Sequence, residues 1–166
     1  MRVLGIDPSS QATGFGIIEF SQNRYNVVTY GTIKPARQAQ LHEKLLEIKA
    51  GVEKLIETHV PDEVAIENPF YAQNIKTAIT LGQVRGAVLV AVAGCGNQLF
   101  EYSPLEIKKA VTGYGQADKV QVKTMIKSLL NISDDKMEED ASDALACAFC
   151  HLNTRLYQKN LEESKI

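Results

Sequence analysis

Apolar and polar positions along the chain follow two periods. Residues 2–7 are mostly apolar and end at Asp7-Pro8-Ser9-Ser10, a strand closed by a turn. Thr13-Gly14-Phe15-Gly16-Ile17-Ile18-Glu19-Phe20 reads as a second strand, and Tyr25 to Ile33, rich in Val, Tyr and Thr, as a third. The short connections predict an antiparallel meander. Leu41, Leu45, Leu46, Val52, Leu55 and Ile56 then recur at helical spacing as far as about Thr58. After Pro61, Glu63–Glu67 is a short strand ending at Asn68-Pro69. Residues 74–94 read as a helix whose Ala78, Gly82, Gly86, Ala87 and Ala91 permit close packing, including across a subunit interface. Gln98 to Tyr102 is a fifth strand. Ser103-Pro104-Leu105-Glu106 opens a helix, with a Ser cap, Pro first and Glu third. Further helices are predicted from about Asp118 to Leu130 and from about Glu138 to Leu156. The order predicts an α/β fold: a mixed five-stranded sheet, three antiparallel strands and then parallel ones, flanked by helices. One domain is expected over residues 1–156, with a C-terminal tail at 157–166.

Composition narrows the class. The 166 residues are 45% hydrophobic and 23% charged, globular values that require neither disulfide nor metal for a core. Three cysteines cannot complete a disulfide framework. No unbroken apolar run of about 18 residues is seen, and Asp7 interrupts any signal-like start, so a cytoplasmic chain without a membrane span is expected. The net charge of −2 excludes a bulk polycation but hides a partition. Residues 76–127 hold 7 basic and 3 acidic residues, against 7 and 9 in residues 1–75 and 4 and 8 in residues 128–166. A positive middle beside acid-rich ends suits a phosphate-binding face next to a carboxylate site. It equally suits charges scattered over solvated helices. Lys76, Arg85, Lys109 and Lys123 of this middle segment are candidate DNA contacts.

The carboxylates are the stronger signal. Asp7 closes the first strand and Glu67 the fourth. If those strands are parallel neighbours, their ends lie about 5 Å apart, in the crevice where open α/β sheets bind ligands. Asp140 and Asp143 are three apart and share a face of the last helix, ahead of the burying stretch Ala144-Leu145-Ala146. Acids converging at a buried edge repel without a counter-cation. Oxygen-rich sites suit Mg²⁺ or Mn²⁺, and two such ions about 4 Å apart can drive phosphodiester hydrolysis. Each acid alone is as readily a turn former, a cap or a loop acid. Asp134, Asp135, Glu138 and Glu139 read as a solvated run and a helix start.

Four blocks in order resemble one family. Leu4-Gly5-Ile6-Asp7-Pro8 with Thr13-Gly14-Phe15-Gly16 is similar to the opening of the RuvC Holliday-junction resolvases. Ile66-Glu67-Asn68-Pro69-Phe70, with Asn74 and Leu81-Gly82-Gln83-Val84-Arg85-Gly86, resembles their second block. Lys108 to Val122 resembles the third and Asp140 to Ala146 the fourth. The resemblance implies an RNase H-like fold, a homodimer, and metal-dependent nicking of four-way DNA junctions, symmetric in two strands of like polarity. It implies Asp7, Glu67, Asp140 and Asp143 as metal ligands, with two Mg²⁺ per site and Mn²⁺ able to substitute. It implies Lys119 near the scissile phosphate, a second basic position at Lys108 or Lys109, with Lys108 favoured, and Phe70 stacking on an unpaired base. A RuvA–RuvB branch-migration complex is the implied partner. One departure stands out: Asp7-Pro8-Ser9 replaces the family's usual Asp-Pro-Gly, which leaves the geometry of that turn open.

Competing readings fit less well. Cys147-Ala148-Phe149-Cys150-His151 matches a haem-attachment pattern, but it sits in an apolar helical stretch without an export signal, so no haem is expected. A zinc site would need Cys95 and His151 to join that pair. His42 and His59 are expected at the surface. A YqgF-like nuclease acting on RNA keeps the fold but not the Phe70 and Lys108–Val122 blocks. An actin-like ATPase needs a second domain. A non-catalytic junction binder would not need all four acids.

Overall fold

The computed structural model describes residues 1–68 and 74–164. Strands β1 (Arg2–Asp7), β2 (Thr13–Ser21) and β3 (Arg24–Ile33) lead into helix α1 (Leu41–His59). Strand β4 (Glu63–Glu67), helix α2 (Ile75–Gly94) and strand β5 (Gln98–Tyr102) follow, then helices α3 (Pro104–Thr112), α4 (Lys119–Leu129) and α5 (Glu139–Glu163). The sheet order is β3-β2-β1-β4-β5, with β1–β2 and β2–β3 antiparallel and β1–β4 and β4–β5 parallel. This is the predicted mixed sheet. The last helix departs from expectation: it continues past Leu156 to Glu163, so residues 157–163 are an exposed helical extension of α5.

Strand alternation sends each strand's side chains to opposite faces, which builds two cores. Leu4, Ile6, Ile17, Val64 and Ile66 meet Ile48, Val52 and Ile56 of α1 and Val84 and Val88 of α2 on one face. Val3, Ile18 and Ala65 meet α3, α4 and the apolar stripe of α5 on the other. Reciprocal caps open α3, as its sequence predicts, and also α4. Ser103 and Glu106 cap α3 reciprocally, and Asp118 and Gln121 do the same for α4, so Lys119 stands on its first turn.

Helix α5 crosses β1 and β2 at backbone contact, and strand glycines make this possible. A Cβ at Gly5 would lie 2.1 Å from the Ala144 carbonyl oxygen, and one at Gly14 would lie 1.9 Å from that of Asp140. Any side chain there would lift the helix and carry Asp140 and Asp143 away from Asp7.

Helix α2 carries Lys76 and Arg85 but is otherwise largely apolar. It is long and apolar enough to cross a membrane by length and composition, with a mean hydropathy of 1.4. One side packs through Val84, Val88, Ala91 and Val92 into the α1 layer. The opposite side leaves Ile75, Ile79 and Val90 exposed, with open space beside Gly82 and Gly86.

Candidate active site

Parallel pairing sets the first half of the site. Ile6 is in register with Ile66, so Asp7 and Glu67 leave neighbouring strands side by side at the C-terminal edge of the sheet. The first two turns of α5 bring Asp140 and Asp143 over that edge. Helices α3 and α4 complete a crevice of about 370 Å³ lined by Asp7, Glu67, Lys108, Lys119 and Asp143, with Leu81 and Val122 among its apolar walls.

Electrostatics single out Asp7. Burial first, then the charges of Glu67, Asp143 and Asp140, push its carboxyl from 3.8 up to about 8. Burial and the Asp143 charge also raise Glu67, partly offset by Lys119, a hydrogen bond with Asp7, and Lys108. Asp140 is raised by burial and by Asp143. Lys119 Nζ donates to Asp143 Oδ2 at 3.3 Å, and that carboxylate raises the lysine above its ordinary value. Among the described residues this is the one hydrogen bond from a cation to the four carboxylates.

The donor set suits a hard divalent cation: four carboxylates, oxygen only, mutually repelling and short of protein cations. Among the described residues no three of them close into a cage as they stand. Cation binding would therefore draw the acids inward, which their shared edge and one helical face permit.

The basic residues separate. Lys108 lines the crevice beside Glu67, whereas its neighbour Lys109 is exposed outside it. Lys76 is exposed at the start of α2. Arg85, expected at DNA, is turned inward: it pairs with Glu101 at 2.5 Å and donates to the Glu67 carbonyl at 3.2 Å, fixing the end of β4. Lys123 is likewise engaged, donating to the Met137 carbonyl at 2.6 Å. Phe70 lies outside the described residues.

At Ser9 the backbone is not in the left-handed region, so the turn does not demand glycine. Ser9 N–H donates to Thr13 Oγ1 at 3.2 Å, and the buried Thr13 hydroxyl donates back to the Ser9 carbonyl at 2.6 Å. Cys147 and Cys150 are free and buried, and His151 points elsewhere, to Tyr102 and Glu63. That rules out a shared ligand set in this arrangement.

Gly5 and Gly14 were not identified from the sequence as site residues. The available signal was glycine inside strands facing a helix that carries two of the acids.

A mixed sheet of this order, with acids at the ends of two central parallel strands and on the covering helix, defines an RNase H-like phosphodiester nuclease. The family model for crossover junction endodeoxyribonuclease RuvC matches residues 3–151, and the chain belongs to that family. Crossover junction endodeoxyribonuclease RuvC of Caldanaerobacter subterraneus subsp. tengcongensis is 42% identical over 154 residues, covering 93% of each chain. That of Magnetococcus marinus is 44% identical, covering 96% of this chain and 88% of its own. RuvC of T. thermophilus in complex with Holliday junction substrate superposes with a TM-score of 0.85 at 29% identity, covering 92% of this chain and 93% of its own. The yeast mitochondrial Holliday junction resolvase Ydc2, at 12% identity and a TM-score of 0.68, shares the fold. Divalent-metal dependence is general to the RuvC family.

Proposed function

We propose that the chain resolves four-way DNA junctions in the cytoplasm by paired symmetric nicks, using Mg²⁺ at Asp7, Glu67, Asp140 and Asp143. Mn²⁺ is able to substitute, and two ions serve each site. The observation that carries this reading is Asp7, held at about 8 by burial and by the charges of Glu67, Asp143 and Asp140. A buried acid so destabilised in the absence of cations is what a cation site requires. When bound, divalent ions supply Lewis-acid stabilisation and a nucleophilic water at neutral pH. The chain's own groups do the rest. The four carboxylates would hold the ions. Lys119 and Lys108 direct ammonium groups into the crevice, where an attacked phosphate gains negative charge. The apolar walls limit water.

Two nicks need two sites, and a homodimer supplies them. The exposed apolar side of α2, with Ile75, Ile79 and Val90 beside Gly82 and Gly86, suits a second copy of this chain. A RuvA–RuvB complex is the branch-migration partner expected from the family, and Phe70 is the expected base-stacking aromatic. The purified protein with Mg²⁺ or Mn²⁺ should nick a synthetic four-way junction symmetrically and leave a linear duplex of the same sequence largely intact. Equal cutting of the duplex, or no cutting in either metal, overturns the reading.

A further inference from the structure

Positive charge near the crevice is unequally available. On the α4 side, a cavity of about 280 Å³ shares Lys119 and Asp143 with the crevice and continues to Lys123 and Lys127. All three of its lysines are engaged: Lys119 with Asp143, Lys123 with the Met137 carbonyl, and Lys127 with Asp135. On the other side, a hollow of about 410 Å³ shares Pro8 and Leu81 with the crevice and is lined by the β1–β2 turn, Lys76, Thr77 and Thr80. It meets a third hollow of about 570 Å³ at Ser10 and Gln11, lined further by Lys34, Pro35, Arg37 and Lys44.

No carboxylate lines either hollow on this second side. Lys34 pairs with Glu138 at 2.5 Å. Arg37, Lys44 and Lys76 have no ion-pair partner among the described residues, so a phosphate would meet them without first displacing a carboxylate. Ser10 and Gln11 add neutral hydrogen-bonding groups between the cations. Hydroxyls, amides and unpaired cations in a row, without acids, are the chemistry that holds a phosphodiester backbone without reading its bases.

Resting on the nuclease reading above, we propose that this groove carries the backbone of one DNA strand away from the scissile phosphate. The strand passes Lys76 and the Ser9–Gln11 turn to a terminal phosphate site at Arg37 and Lys44. These last two residues fall in a stretch of net negative charge, so the charge partition along the sequence points away from them.

The test measures equilibrium binding to a four-way junction against salt, with Ca²⁺ in place of Mg²⁺ to suppress cutting. The double variant Arg37→Gln/Lys44→Gln should lower the slope of log affinity against log salt by about 1.8, roughly 0.9 for the one phosphate released at this site in each of two protomers. Lys123→Gln/Lys127→Gln should change it less. Neutral methylphosphonates placed singly along the strand identify the phosphate held here: the one that weakens wild-type binding through this site should leave the double variant's affinity unchanged. An unchanged salt slope, or fully additive losses from the methylphosphonate and the substitutions, overturns the proposal. Failure of the nuclease reading looks different, because the wild-type protein itself would then neither prefer nor cut a junction. Arg37 is exposed and Lys44 half-buried, and an unchanged thermal melt shows that the variant is folded.

Discussion

Strand β4 carries a glutamate at each end, α5 runs past both, and the two ends are treated in opposite ways. At the start of β4, Glu63 receives Arg155 through Nε at 2.8 Å and again through Nη2, and receives His151 Nε2 at 2.6 Å. The other imidazole nitrogen, Nδ1, meets the Tyr102 hydroxyl at 2.7 Å. Burial pushes His151 below its ordinary value, so the neutral ring donates from Nε2 to Glu63 and accepts from Tyr102. Arg155 also lies 4.5 Å over the Phe100 ring. Burial alone would raise Glu63, but the hydrogen bonds from Arg155 and His151 outweigh it and hold the carboxyl below its ordinary value. At the end of β4, burial and the Asp143 charge raise Glu67, and Lys119, Asp7 and Lys108 offset this only in part. Acids with matched donors brace a fold, whereas acids that outnumber their donors at one edge hold space for a cation.

The contrast is broken most severely at Asp7. Asp7→Asn should lower the rate of junction cleavage by about 1,000-fold or more, at least about 4 kcal/mol of transition-state stabilisation. Junction binding should persist, because the phosphate contacts are elsewhere. The metal-free variant should melt above the wild type at pH 8, since a carboxyl held at about 8 no longer needs to ionise there. Loss of both binding and stability would make Asp7 a structural acid. Glu63→Gln should do the reverse. It leaves Arg155 and His151 facing an amide and should cost about 3 kcal/mol of stability, the scale for breaking a mostly buried ion pair. Chemical denaturation measures the loss. Cleavage by the folded fraction should stay within severalfold of wild type.

The two ends also titrate in opposite senses. Asp7 is raised from 3.8 to about 8, so the folded protein binds its proton more tightly than the unfolded chain. Its contribution is fully present below about pH 4 and is lost as pH rises through about 8. Glu63 is lowered from 4.5, so its contribution is present above that value and is lost as pH falls. Without divalent metal, thermal stability should therefore decline from weakly acidic pH towards pH 8, and Mg²⁺ or Mn²⁺ should flatten the decline by favouring the ionised cluster. Asp7→Asn should flatten the metal-free curve, and Glu63→Gln should remove part of the fall on the acid side. A metal-free wild-type curve rising steadily to pH 8 would contradict the assignment.

One end of β4 was far more legible from sequence than the other. Asp7, Glu67, Asp140 and Asp143 stand out because strand ends and helical spacing are local patterns, and parallel β1 and β4 with α5 across their edge bring them together. The mixed sheet and the cap at Ser103 were legible for the same reason. The Glu63, Tyr102, His151 and Arg155 cluster was not, because Glu63 and His151 are 88 residues apart and no local period joins them. His151 was noticed only within a cysteine pattern that buried packing explains. Arg85 and Lys123 looked like free cations because partners such as Glu101 and the Met137 carbonyl come from other elements. The end of α5 is not marked in the sequence, because its apolar stripe stops where burial stops, whereas helical hydrogen bonding continues into solvent as far as Glu163.

The smallest effect is expected at Ser9, in the turn that leads from Asp7 into β2. The glycine that the family resemblance implies here would suggest a backbone that needs freedom, but in this chain the position is outside the left-handed region, and the Thr13 hydroxyl ties the turn through two hydrogen bonds to Ser9 backbone groups. Glycine would keep both bonds and lose the Ser9 Oγ acceptor for Gln11 N–H, a long contact at 3.4 Å. It would also widen the conformational space of the unfolded chain. Ser9→Gly should therefore cost about 0.5 kcal/mol, with junction cleavage unchanged within twofold. A several-fold gain in cleavage would mean that the serine side chain holds DNA off the Asp7 end of β1. The contrast between the two ends of β4 would then need a steric component beside its electrostatic one.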